Sequence, residues 1–264
     1  MEAQHGHSAA CCNIPPIVTK DYQQKGKYET IGGLKTYVTG PSDATKAIFV
    51  IYDIFGYFPQ TLQGADILST SNDHQKYLVF VPDFFEGKPA DISWYPPDNE
   101  DKKKKLGEFF SGIAAPPKNA AKVPDLVKAI GEKYSGIKSW GILGYCWGGK
   151  IVSLTTSDSS TIFSAAAECH PAMVDPKDAE KIKIPLCMLA SKDEPAEDVK
   201  KFEENLTTDK HVETFSDQVH GDMLTMCDLN RWMAARGDLE NDKVKSEYER
   251  GYKTLVEFFG KYVK

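Results

Sequence analysis

Apolar residues fall into short continuous runs separated by longer mixed stretches. The runs are AIFVIY (47–52), YLVFV (77–81), WGIL (140–143), FSAAA (163–167) and PLCMLA (185–190). Their continuity, in place of strict alternation, is the pattern of strands covered on both faces. The stretches between and after them, at about 60–75, 98–112, 119–134, 148–157, 196–206 and 244–262, read as helices. Strands alternating with helices predict βαβ units, and so a doubly wound, mostly parallel sheet with helices on both faces. Two further segments belong at the margins. YETIGGLKTYV (28–38) sets apolar and β-branched residues around Gly32-Gly33 as an edge hairpin, and HVETF (211–215) reads as a last, half-exposed strand.

No internal repeat or domain boundary interrupts this alternation. Residues 1–25, with Pro15-Pro16 and little periodicity, form an extended N-terminal arm, and 26–264 form a single α/β domain. With 41% hydrophobic residues in 264, the chain can bury a substantial core. A formal net charge of −6 offers no general attraction to nucleic acid or to an anionic membrane, so neither is expected as a partner. No apolar run approaches a membrane span, and the first twenty residues lack the pattern of a secretory leader, which predicts a cytoplasmic protein. The charge run DKKKK (101–105) reads as a solvated helix face, and His74 as a solvated residue at a polar helix end.

The six cysteines are Cys11, Cys12, Cys146, Cys169, Cys187 and Cys227. Cys169 and Cys187 lie in or beside strand-like runs and adjacent Cys11-Cys12 cannot easily pair with each other, so reduced thiols are expected. His5, His7, Cys11 and Cys12 are scattered ligands in a polar tail. With neither a CxxC nor an HExxH spacing in the chain, no metal and no cofactor are expected.

In an open parallel sheet, ligands bind at the carboxyl ends of the strands. Four chemically capable residues fall there: Asp53, Cys146, Asp193 and His220. Gly144-x-Cys146-x-Gly148 has the spacing of a nucleophile elbow, a sharp strand-to-helix turn, with cysteine at the nucleophile position. The helix that follows would offer the Trp147 N–H to an oxyanion and its dipole to a thiolate. Cys146, Asp193 and His220 occur in the order nucleophile, acid, histidine, each beyond a separate strand. His220 suits a general base and Asp193 the acid that orients it; Asp222, two residues further on, is the competing acid.

These residues resemble the dienelactone hydrolases, a cysteine-using branch of the α/β-hydrolase fold. The matching pieces are Gly144-Tyr145-Cys146-Trp147-Gly148-Gly149, Asp53-Ile54-Phe55-Gly56, Val81-Pro82-Asp83-Phe84-Phe85, Asp193 and His220-Gly221, while Ala10-Cys11-Cys12 is similar to fungal members. The resemblance implies Cys146 as nucleophile, His220 as base, Asp193 as its acid and the Ile54 N–H as second oxyanion donor. Asp53 stands where bacterial members carry a glutamate that holds the resting thiol. It keeps the charge on a shorter arm, the alternative being a strand-end residue that bonds the loop backbone. Phe55, Trp94, Tyr95, His170 and Arg236 are candidate pocket residues, with Trp147 a further aromatic wall; His170 has a structural role as its alternative. Bacterial members follow the histidine with a serine and then an arginine for the lactone carboxylate. Here Gly221-Asp222-Met223-Leu224 follows, and the nearest arginines are Arg231 and Arg236, so dienelactone is not named as the substrate.

The expectation is hydrolysis of a small ester or lactone, of enol-lactone type, by a Cys-His-Asp triad through an acyl-thioester, in a monomer or homodimer. Two other readings stand beside it. One is a catalytically silent small-molecule binder on the same fold, the other a redox-reactive thiol protein.

Overall fold

The computed structural model describes residues 15, 17–70, 76–220, 233 and 238–264. Eight strands form one sheet in the order β1-β2-β4-β3-β5-β6-β7-β8. They are β1 (Lys27–Ile31), β2 (Leu34–Thr39), β3 (Lys46–Ile51), β4 (Tyr77–Pro82), β5 (Ser139–Tyr145), β6 (Ala165–Cys169), β7 (Leu186–Ser191) and β8 (Lys210–Phe215). β1 and β2 make the edge hairpin and pair antiparallel; from β4 across to β8 all pairings are parallel. Each continuous apolar run became a buried strand, and the alternating HVETF became the half-exposed edge strand β8.

The helices are α1 (Pro59–Thr70), α2 (Glu100–Ser111), α3 (Pro116–Ala120), α4 (Val123–Lys133), α5 (Trp147–Thr156), α6 (Pro176–Ala179), α7 (Ala196–Asn205) and α8 (Asp242–Tyr262). The single helix expected at 119–134 is two. Pro124 lacks an N–H and its ring crowds the carbonyl one turn earlier, so α3 stops and α4 starts afresh around it. Four-residue α6, capped by Asp175, is too short to show periodicity in sequence. The lysines of α2 lie on a solvated face, as expected, in i,i+3 and i,i+4 pairs such as Lys103–Glu100 and Lys105–Asp101. Residues 17–25 cross α1, where the Val18 N–H donates to Gln63 Oε1 (2.7 Å) and Tyr22 Oη–H to Asp66 Oδ2 (2.6 Å).

Strand order fixes where a ligand would bind. The β3–α1–β4 connection steps toward one edge of the sheet, and β5–α5–β6 steps toward the other. With right-handed crossovers, α1 and α5 must cover opposite faces, leaving a crevice beyond the carboxyl ends of neighbouring β3 and β5. Asp53-Ile54 and Cys146 border that crevice.

Candidate active site

β5 ends at Tyr145 and α5 begins at Trp147, so Cys146 alone turns the chain from strand into helix. It does so at φ 51°, ψ −114°, a left-handed conformation that an L-residue holds at a cost of about 1–3 kcal/mol. Close approach explains why glycine flanks it. A Cβ on Gly144 would lie 2.2 Å from the Gly148 carbonyl oxygen, and one on Gly148 would lie 2.2 Å from the Ile51 oxygen. The start of α5 therefore rests directly on the end of β3. Three hydrogen bonds then fix the main chain of Cys146: its N–H donates to Cys169 O (3.1 Å), and its carbonyl accepts from Gly149 (3.0 Å) and Ala172 (2.9 Å). Cys146 is 3% exposed.

Two main-chain donors border the thiol's turn. Trp147 is the first residue of α5 and Ile54 lies in the turn after β3; neither N–H has an acceptor among the described residues. That second turn is closed by its own bonds. Asp53 Oδ1 accepts the Phe55 N–H (2.9 Å), Asp53 O accepts the Gly56 N–H (3.2 Å), and Ile54 O accepts the Ala90 N–H (2.9 Å). The indole of Trp147 is not a cleft wall. It is fully buried, donates through Nε1 to Ala114 O (2.8 Å) and packs on Phe84 and Phe85.

His220 follows β8 and is held by two adjacent acids in different ways. Its ring Nδ1 pairs with Glu194 Oε1, whereas Asp193 Oδ2 accepts its main-chain N–H (2.9 Å). Asp193, assigned to the ring from chain order, is thus on the backbone, and the carboxylate on the ring is its neighbour. The turn after β7 explains the exchange. Asp193 is half-buried at the rim, while Glu194, longer by one methylene, folds back across Ser191 and accepts from that residue's N–H and Oγ–H (3.1 Å for the latter). Three donors converge on a carboxylate whose side chain is 2% exposed, so its oxygens are hydrogen-bonded by protein in place of water. The Lys192 N–H to Gln218 O bond (3.0 Å) ties the two loops together. Two contiguous acids after one strand were the only sequence signal for Glu194.

His170, at the end of β6, is fully buried at φ 37°, with its ring edge-on to that of His220 at 5.0 Å and 6.1 Å from the Tyr145 ring. Its Nε2 lies 3.4 Å from Met233 O. Phe55 is buried against Phe58 and Tyr95, and half-buried Trp94 lies on Phe109. Arg236, Arg231, Asp222, Gly221, His74, His5, His7, Cys11, Cys12 and Cys227 lie outside the described residues.

Other groups near this edge are set for different work. Burial pushes the thiols of Cys169 and Cys187 well up, which leaves both as inert core residues. Glu168, on β6 beneath α5, is pushed up to about 8 by burial, against the hydrogen bond it accepts from Ser153 Oγ (2.6 Å). Among the described residues, no three His, Cys, Asp or Glu side chains cluster as a metal site, and no helix is long and apolar enough to cross a membrane.

The sequence matches the dienelactone hydrolase family over residues 34–263. The chain belongs to that family. An AIM2 family protein of Schizosaccharomyces pombe is 35% identical over 260 residues, covering 95% of this chain and 98% of the relative. The human carboxymethylenebutenolidase homolog is 30% identical over 214 residues, covering 76% and 80%. Dienelactone hydrolase from Anabaena variabilis superposes with a TM-score of 0.61 at 14% identity, covering 92% and 99%, a likeness of fold. Family membership makes this dienelactone hydrolase relative a hydrolase of the ester and lactone kind.

Proposed function

We propose that the chain hydrolyses an activated ester or lactone with Cys146 as nucleophile. The observation that carries this is the strained, glycine-flanked Cys146 at the switch-point crevice, on the same sheet edge as a histidine whose Nδ1 is fixed by a buried carboxylate. Glu194 holds the Nδ1–H tautomer and leaves Nε2 for proton transfer; Asp193 anchors the main chain of His220. His220 takes the thiol proton, Sγ attacks the carbonyl carbon, and the Ile54 and Trp147 N–H groups receive the oxyanion. Collapse forms the acyl-thioester and expels the alkoxide or enolate, which His220 protonates. Water, deprotonated by His220, then attacks the thioester and releases the acid and the thiol.

A thiolate is a better leaving group than an alkoxide, so a tetrahedral adduct partitions forward only when the departing oxygen is itself stabilised. That favours enol lactones and aryl esters over alkyl esters and amides. The human relative's name, carboxymethylenebutenolidase homolog, points to the same class. Burial of Cys146 argues against an exposed redox-sensing thiol.

The test is turnover of an enol lactone and an aryl acetate, with mass spectrometry of the intact chain in the burst. Acetylation of Cys146 and loss of turnover in Cys146→Ala and His220→Ala are expected. Undiminished turnover in Cys146→Ala would overturn the proposal.

A further inference from the structure

Ser191, the last residue of β7, is fully buried and takes no part in the steps proposed for Cys146 and His220. With Glu194 three residues on, it has the S-x-x-E spacing of a capping box, in which the carboxylate accepts the serine main-chain N–H and the serine oxygen accepts a main-chain N–H in return. Both bonds are present. Ser191 N–H donates to Glu194 Oε2, and Asp193 N–H donates to Ser191 Oγ (3.3 Å). The turn they close is not a helix start, since α7 begins at Ala196 with Pro195 as its cap residue. Such a box uses one carboxylate oxygen and leaves the other spare.

Here the spare oxygen is the one that meets the histidine. Glu194 Oε1 pairs with His220 Nδ1 and also accepts the Ser191 Oγ–H (3.1 Å). Because the Asp193 N–H already lies on the Ser191 oxygen, the hydroxyl hydrogen is directed to Oε1. Ser191 thus holds both oxygens of the carboxylate, one through its main chain and one through its side chain. A glutamate has three rotatable side-chain bonds, and these two tethers to one strand residue fix the plane in which Oε1 faces the imidazole. Neighbouring bonds place the histidine itself: Asp193 Oδ2 accepts the His220 N–H (2.9 Å), and Gln218 O accepts the Lys192 N–H (3.0 Å). The main-chain tether survives a substitution at 191. The hydroxyl tether does not.

We infer that Ser191 is a positioning residue: by sharing Glu194 Oε1 with His220, its hydroxyl fixes the carboxylate against the imidazole, which holds the proton on Nδ1 and leaves Nε2 for the thiol. This rests on His220 being the base of the proposed hydrolysis.

Ser191→Ala and Ser191→Thr test it in the full chain, by steady-state hydrolysis of an aryl acetate, thermal unfolding and proton NMR. The NMR signal is the far-downfield resonance of a short, charge-assisted Nδ1–H bond, assigned by its absence in His220→Ala. Ser191→Ala is expected to lower kcat roughly tenfold with KM within about twofold, and to shift or broaden that resonance. A role confined to the stability of β7 would lower the melting temperature and leave the resonance in place. Ser191→Thr keeps the hydroxyl on a β-branched frame that suits a strand, and should recover most of kcat and the parent resonance. If it fails to fold, Ser191→Ala decides alone. The parent's kcat in Ser191→Ala, an unchanged resonance, or equal losses in folded alanine and threonine variants would overturn the inference. Undiminished turnover in His220→Ala would overturn the reading beneath it, and the resonance, measured without substrate, keeps the two results apart.

Discussion

The turns that leave β5 and β7 meet at the same sheet edge, yet they are built on opposite terms. After β5 the conformation is imposed by what is missing: at Gly144 and Gly148 a single Cβ would run into backbone oxygen 2.2 Å away, and Cys146 stands between them at the point of the turn. After β7 nothing is excluded. Asp193 and Glu194 follow each other, both acidic and both bonded to His220, and the reach of one methylene decides which meets the ring and which the backbone. A turn specified by steric exclusion has one solution; a turn specified by side-chain reach has several of similar energy. The catalytic geometry we propose depends on both kinds.

The largest effect tests exclusion. Gly148→Ala places its methyl against the Ile51 carbonyl, which cannot move without displacing β3, so a loss of roughly 3 kcal/mol or more and turnover below detection are expected. Thermal unfolding and ester hydrolysis read it together. An alanine variant with the parent's melting temperature and rate would show that the elbow has slack, and the contrast between the two turns would disappear.

The next pair sharpens the other side. Glu194→Gln removes the charge that fixes Nδ1–H and should lower kcat by about a thousandfold or more with little change in KM. Asp193→Asn keeps an oxygen for the His220 N–H and should cost less than about tenfold. The reverse ranking in steady-state kinetics would return the ring to Asp193 and leave Glu194 as a brace for Ser191.

What was legible in the sequence follows the same division. The strands could be read because continuous apolar runs such as AIFVIY and YLVFV leave few other structures open, and Cys146 because glycine spacing encodes a clash. The break between α3 and α4 at Pro124 was legible in principle, since proline ends a helix by a local rule. Glu194 was not, because two neighbouring acids differ only in how far they extend once the turn exists. Nor was the burial of Trp147, since an aromatic after a nucleophile can face a cleft or the core, and its Nε1–H bond to Ala114, 33 residues away, chose the core.

The smallest effect on catalysis, and a distinct one on stability, comes from Glu168 between the two turns. It accepts from Ser153 of α5 while Cys169 next to it accepts the Cys146 N–H, so it tests whether the elbow stands on its glycines alone. Burial raises this carboxyl from 4.5 to about 8, so between those values the folded chain holds a proton that the unfolded chain has released. Stability must then fall as pH rises through that window, by at most about 1.4 kcal/mol per pH unit from this group, and level off above it. Glu168→Gln keeps an acceptor for Ser153 and carries no charge. Its unfolding free energy, followed by denaturant titration at pH 5, 7 and 9, should decline less than the parent's, with kcat at pH 7 within about threefold. If the slopes coincide, Glu168 stays ionised and its charge is compensated by Lys150, already paired with Asp178 at 2.6 Å. If the slopes differ and kcat also collapses, the glycines do not hold the elbow unaided, and the proton on Glu168 becomes part of what keeps Cys146 in its strained conformation.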